Sequence, residues 1–345
     1  MRLELDKIAS CTRNAALTRS VVLSPEIRAE RGVVVAVRVL DEKSTYNEVE
    51  DPHGRMMTVH AGDLLAGVLG SRQALRGYTG DVPSSVRVGD VLHLLNKGGV
   101  IGQCTSSSPE VGPPARVEVL GAVVDASTGL PATIENGSVT PTNELPALPP
   151  VVFLAGTCMH AGKTAAACAL IRQATVQGLR VGATKVTGVA LRRDSLEMED
   201  HGAKVVCTFA DAGLPSTCDV DALPVAKGCL AYLASFDLDL IVVELGDGLL
   251  GEYGVRDMLA ELHPVASAVV LSATDPVAAW GGVMILREMG VVPTVVTGPA
   301  TDNAAGALAI APFGVPAANA RTEPERLAAE VLSPIFGAPM LRILP

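Results

Sequence analysis

Residues 151–170 read VVFLAGTCMHAGKTAAACAL: an apolar run, a glycine-bounded loop, then an alanine-rich stretch with neither glycine nor proline. The loop Gly156-Thr157-Cys158-Met159-His160-Ala161-Gly162-Lys163-Thr164 constrains the fold more than any other feature. A strand that turns through glycines into a helix aims successive backbone N–H groups, and the positive end of the helix dipole, at one point. That point can hold a polyphosphate without bulky side chains. Lys163 is placed to reach β- and γ-phosphates, and Thr164 to set its hydroxyl on Mg2+. The candidate phosphate-binding residues are therefore Gly156, Thr157, His160, Ala161, Gly162, Lys163, Thr164 and Ala165. His160 is read as a cover over the phosphates and Lys163 as a solvent-facing side chain.

After residue 150 short apolar runs alternate with helical patterns. Val151–Ala155, Arg180–Val186, Leu238–Glu244, Ala266–Ser272 and Val291–Thr297 are rich enough in valine and leucine to be strands buried on both faces. Between them the spacing predicts helices over 163–177, 196–212, 222–236, 255–262 and 276–289. This is the pattern of an α/β fold, a doubly wound and mainly parallel sheet. Residues 139–150, VTPTNELPALPP, carry four prolines and can neither continue a helix nor join a central strand. They are expected to link a smaller β-rich domain, residues 1–138, to the α/β domain, residues 151–345. In the first half, Gly32–Leu40, Arg55–Val59, Ser85–Val88, Val91–Leu95 and Arg116–Val124 read as short strands, suggesting a barrel. A helix is expected over Ala61–Leu75, and VRVGDVLHLLN reads as a hairpin.

Ligands of such sheets bind at the carboxyl ends of the strands. Lys185 stands there in Thr184-Lys185-Val186-Thr187-Gly188, and Leu240-Ile241-Val242-Val243 ends on Glu244, followed by Leu245-Gly246-Asp247-Gly248. A strand-end acid beside a phosphate loop suits a hard cation, so Glu244 is the expected metal ligand with Thr164. Asp247 is a second acid that could serve as ligand or base, or simply form an Asp-Gly turn. Arg192 and Arg193 could clamp an anion or lie exposed, and Asp194 could cap the helix that follows. The Asp211–Thr217 loop offers Ser216 and Thr217 as hydroxyl donors or as caps.

Five residues separate Gly156 from Gly162, one more than the common phosphate-loop pattern, and G-T-x-x-x-x-G-K-T after a strand resembles the P-loop of dethiobiotin synthetase and related ATP-dependent amidases and synthetases. The resemblance covers residues 151–300. It implies ATP and Mg2+ as cofactors, a strand-end lysine at Lys185 that neutralises the transferred phosphate, and Asp194 as a further Mg2+ ligand. It also implies Asn303 at the adenine base, and otherwise Asn303 caps the next helix. The expectation is an enzyme that activates a small carboxylate- or amine-bearing metabolite by phosphoryl transfer, as a ligase or kinase, with Lys163, Lys185 and Glu244 catalytic. Two alternatives stay open: a nucleotide-driven assembly or metal-insertion NTPase, and an acyl-CoA-dependent N-acyltransferase whose loop holds the coenzyme A diphosphate.

Composition narrows the partners. The formal net charge of −10 and 3% aromatic residues argue against a nucleic-acid platform, which needs basic surface and exposed rings. The seven cysteines form no C-x-x-C pair, which suits free thiols in a reducing cytoplasm. No apolar stretch reaches 18 residues and the N-terminus has no apolar h-region, so no membrane partner is expected. Six histidines and the absence of G-x-S-x-G offer no hydrolase triad. A small-molecule substrate and a homodimer complete the expectation.

Overall fold

A computed structural model describes residues 1–337. The chain forms two compact units, one of residues 1–139 with 189–193 and 209–220, the other of residues 140–188, 194–208 and 221 onward. The single cut expected at 139–150 takes no account of the two short excursions, which lie inside the α/β half of the sequence.

The first unit contains β1 (Arg2–Glu4), β2 (Lys7–Ile8), β3 (Ser20–Ser24), β4 (Val34–Val39), β5 (Glu48–Glu50), β6 (Met56–Thr58), β7 (Leu64–Leu69), β8 (Arg72–Gln73), β9 (Tyr78–Asp81), β10 (Val91–Leu94), β11 (Val100–Ser107) and β12 (Arg116–Val124). β12 pairs with β4, β4 with β7, β7 with β11, β11 with β10, and β10 back with β12. Five strands thus close into a ring, which removes the exposed edges an open sheet would leave. Val34, Val35, Ala36 and Val37 of β4 are all fully buried.

Three sequence expectations fail here. Ala61–Leu75 is not a helix: it holds β7 and β8. Leu64, Leu65, Val68 and Leu69 repeat with helical spacing, but β7 lies between β4 and β11, and Leu65–Leu69 are buried throughout. A strand covered on both faces loses its alternation. Gly67 fits this place, since a Cβ there would lie 2.5 Å from the Gly99 carbonyl oxygen. Ser85–Val88 forms no strand, and VRVGDVLHLLN is no hairpin. Its Gly89-Asp90 turn is real, with Asp90 accepting from the Arg87 N–H at 2.7 Å, but β10 pairs with β11 and β12.

The second unit holds β13 (Val151–Gly156), β14 (Val181–Thr187), β15 (Val205–Thr208), β16 (Leu240–Leu245), β17 (Ala268–Ser272) and β18 (Val295–Thr297) in one parallel sheet, order β15-β14-β16-β13-β17-β18. Its helices are α1 (Lys163–Val176), α2 (Arg193–Asp200), α3 (Leu223–Ala234), α4 (Val255–Leu262), α5 (Pro276–Glu288), α6 (Ala304–Ile310) and α7 (Pro324–Phe336). Residues 196–212 are not one helix. α2 stops at Asp200, Gly202 takes a left-handed φ of +108°, and β15 follows as an edge strand on β14. Strand order reverses at β13: the chain first steps to β14 and β15, then returns to β16 and passes to β17 and β18. α1, α2 and α7 pack on the sheet together, where Leu170, Ile171 and Met198 share a core with Val152, Val242, Val270 and Leu327 of α7, as the right-handed crossovers usual in parallel sheets require.

Candidate functional site

The reversal of strand order opens a crevice at the carboxyl end of β13, the usual ligand position in such sheets. Residues 157–162 leave β13 as an irregular loop, with His160 exposed at φ +59° and Gly162 at φ +96° before α1 begins at Lys163. Lys163 is only 6% exposed, which corrects the reading of a solvent-facing side chain. It folds back over the strand end because Gly156 has no Cβ. One built there would lie 2.8 Å from Lys163 Cδ and 2.9 Å from its Nζ. The ammonium donates to the carbonyls of Cys158, at 3.0 Å, and of Asp247. Burial lowers the Lys163 pKa and Glu244 opposes that shift.

Parallel register sets the partners. β16 lies between β13 and β14, with Glu244 beside Leu154 on one side and Lys185 on the other. Glu244 is 2% exposed, and its Oε1 accepts from the Thr164 hydroxyl at 3.2 Å. Its Oε2 is buried with no hydrogen-bond partner among the described residues. Burial raises the Glu244 pKa against the pull of Lys185 and Lys163. Lys185 is ion-paired with Asp194 and lies 3.7 Å from Glu244 Oε1. Burial works against the Lys185 charge, yet the two carboxylates hold its pKa above the ordinary lysine value.

The turn after β16 is fastened to this group. Thr187 Oγ1 donates to the Gly246 carbonyl at 2.9 Å, and Leu249 N–H to the Gly156 carbonyl at 2.8 Å. Asp247 takes a left-handed φ of +66° between two glycines, consistent with its turn-forming reading. Its backbone carbonyl, which no side-chain motif reveals, is what Lys163 touches.

Lys163, Thr164, Lys185, Asp194 and Glu244 therefore stand together. Gly156, Thr157, Ala161, Gly162 and half-buried Ala165 line the turn into α1. Asn303 is exposed and caps α6, its Oδ1 accepting from Gly306 N–H at 3.0 Å. The loop before it does approach the phosphate loop, since a Cβ on Gly298 would lie 2.1 Å from the Ala161 carbonyl oxygen. Sequence reasoning missed two side chains, Ser272 and Asn319. Ser272, beside Gly156 in register, has a buried Oγ without a partner among the described residues, as does Thr157. Asn319, 2% exposed, donates to Thr301 Oγ1 at 3.1 Å and Asp302 Oδ1 at 2.9 Å, tying the loop after β18. Its setting between alanines was the one available hint. Asp211 lies in the first unit, paired with Arg13.

No family model and no curated protein matches the chain. Solved structures do. The cell division protein FtsY of Thermotoga maritima is 20% identical over 58% of this chain and 74% of that one, with a TM-score of 0.38. The signal recognition particle 54 kDa protein of Aeropyrum pernix, in complex with GDP, is 20% identical over 57% and 49%, at 0.39. The signal recognition particle receptor FtsY of Elizabethkingia anophelis, also with GDP, is 14% identical over 60% of each chain, at 0.35. None of these three neighbours is a dethiobiotin synthetase, and two of them are in complex with GDP. On this finding two expectations are corrected: Mg-ATP-dependent activation of a small metabolite by a ligase or kinase, and the exclusion of nucleic-acid and membrane partners. Neither is carried further, and the neighbours' own partners remain theirs. Among the described residues no helix is long and apolar enough to cross a membrane. The chain's own elements give a P-loop fold, a parallel sheet whose strand β13 turns through the glycine loop into α1, with a separate β-rich region.

Proposed function

We propose that the chain binds a nucleoside triphosphate with Mg2+ at residues 156–164 and hydrolyses it, the nucleotide state being the output, as in a nucleotide-driven assembly factor. The observation that supports this reading is the Thr164–Glu244 pair at 3.2 Å, with Glu244 Oε2 buried and unpartnered among the described residues and the buried Lys163 close enough to act on its charge. A buried carboxylate oxygen without a donor is costly unless a cation or proton meets it.

The donor set fits Mg2+, a hard cation that takes one or two protein oxygens and completes its shell from phosphate and water. Thr164 and Glu244 would hold it. Among the described residues no three or more of His, Cys, Asp and Glu form a cage for a metal on their own. When bound, Mg2+ neutralises charge on the phosphate oxygens. The chain's own groups do the rest. Backbone N–H groups of the loop meet the phosphates, and Lys163 has one N–H beyond the two already engaged. Lys185, kept charged by Asp194 and Glu244, adds a second cation where negative charge develops.

The test is titration with fluorescent ATP and GTP analogues and phosphate release without any added metabolite. Lys163→Ala should weaken binding at least about tenfold and abolish release. Glu244→Gln should keep affinity within a fewfold while lowering release by about tenfold or more. Nucleotide binding undiminished in Lys163→Ala, or no release with either nucleotide, overturns the reading.

A further inference from the structure

The β-rich unit carries a buried cation that nothing in the nucleotide site uses. Arg72 of β8 is 6% exposed, and no carboxylate among the described residues lies within ion-pair reach of it. Its Nη1 donates to Tyr46 Oη at 3.0 Å and to the Leu95 carbonyl. Its Nε is buried with no acceptor, and Nη2 donates to nothing among the described residues. The free side is thus the Nε/Nη2 edge, two parallel N–H groups that match the two oxygens of a carboxylate or phosphate.

A second unpartnered polar atom lies on the segment paired with Gly77. Ser108 Oγ is buried without a partner among the described residues, and Ser108 N–H donates to the Gly77 carbonyl at 2.8 Å. Gly77, at φ +135°, neighbours both residues: its carbonyl accepts from Ser108 N–H, and a Cβ on it would lie 2.9 Å from Arg72 Nη2. Any other side chain at Gly77 would crowd the Nη2 end of the guanidinium. The walls are the rings of Tyr46 and Tyr78, packed edge-to-face at 5.5 Å, each with its centroid 5.8 Å from Arg72 Cζ. Lys43 is spent on structure, donating to Tyr78 Oη and to the Val111 and Pro113 carbonyls. It adds positive charge but no free donor.

Facing rings hold the guanidinium in place, yet they do not satisfy N–H groups that lie in its plane. A buried arginine with its fork open and no counter-ion leaves unmet a desolvation cost that a bound anion would offset. We propose that Arg72 Nε and Nη2, with Ser108 Oγ, form a binding site for a small oxyanion group, carboxylate or phosphate, in the β-rich unit, distinct from the phosphate loop. Two oxygens accept from the arginine edge and one also accepts from the serine hydroxyl. The tyrosine rings select a ligand with a flat or apolar body behind that group.

The test is calorimetric titration of the full-length chain, at constant ionic strength in chloride, with acetate, benzoate and inorganic phosphate as separate probes. Lys163→Ala is titrated in parallel, because phosphate can also enter the phosphate loop. Saturable binding of at least one probe is expected in wild type and in Lys163→Ala alike. Arg72→Lys keeps the charge but loses the fork and should weaken it about tenfold or more. Ser108→Ala should weaken it about threefold to tenfold with an unchanged melting temperature. If Arg72→Lys does not fold, Ser108→Ala decides alone. A carboxylate preference identifies an organic acid as the ligand class, and a phosphate preference a phosphorylated one. No saturable binding by any probe, binding lost in Lys163→Ala, or binding unaltered by Ser108→Ala and Arg72→Lys overturns the proposal.

Discussion

Gly156 and Lys163 work as one device, and glycines elsewhere in the site work differently. At Gly156 an added methyl meets the middle and end of the flexible lysine chain, which can move aside. Gly156→Ala should therefore leave the melting temperature nearly unchanged while lowering nucleotide affinity about tenfold, as the ammonium is pushed off its place. At Gly246 the methyl meets backbone, 2.2 Å from the Thr187 carbonyl oxygen. Gly246→Ala should cost about 1–3 kcal/mol of stability, because β14 and the turn after β16 must separate. Differential scanning fluorimetry beside a nucleotide titration distinguishes the two. If both variants lose stability equally, the lysine is not the part that yields. Lys163, Thr164 and Glu244 were legible in sequence because a strand, a glycine loop and a strand-end acid each leave a side-chain signature. The Asp247 carbonyl was not, since backbone acceptors leave none.

Elements were legible where burial and periodicity agree. The parallel strands read as apolar runs because both faces are covered, and β13 to α1 was recovered nearly to the residue. The same burial hid β7: with no solvent face there is no alternation, and its leucines fall at helical spacing. β15 was lost for the opposite reason, being four residues at an edge next to a helical pattern. β10 has a consequence for pH. Within the ring, His93 Nδ1 accepts from Cys104 N–H at 3.1 Å, which requires that nitrogen to be unprotonated. Burial lowers the His93 pKa, against the attraction of Asp41. A histidine with a depressed folded-state pKa binds fewer protons folded than unfolded, so its contribution is present above about pH 6.5 and is lost as pH falls toward the folded value. Wild type should lose more melting temperature between pH 7 and pH 5 than His93→Gln, whose side chain can still accept. Equal losses would place the acid-labile group elsewhere.

At the scale of the whole molecule, the chain does not divide where its composition does. The proline-rich stretch marks one crossing, but residues 189–193 and 209–220 return to complete the β-rich unit. They do so through backbone groups: Asn96 Nδ2 donates to the Ala190 carbonyl at 2.7 Å, Asn14 Nδ2 to Ala210 at 2.8 Å, and Arg31 Nη1 to Cys218 at 2.9 Å. Buried Glu50 accepts from the Arg192 N–H at 2.7 Å. None of these contacts has a sequence signature, because any residue supplies a carbonyl or an N–H. A fragment of residues 1–146, cut where composition suggests, should leave four such bonds unmade. At about 0.5–1.5 kcal/mol each, the loss is about 2–6 kcal/mol, a large part of the stability of a domain this size. Its unfolding, followed by circular dichroism, should be broad or shifted down by about 5–20 °C from the β-sheet transition of the full chain. Adding a peptide of residues 187–220 should restore part of that shift in a concentration-dependent way. A fragment that melts as sharply and as high as the full chain would show that the β ring is self-sufficient and that the two excursions merely rest against it.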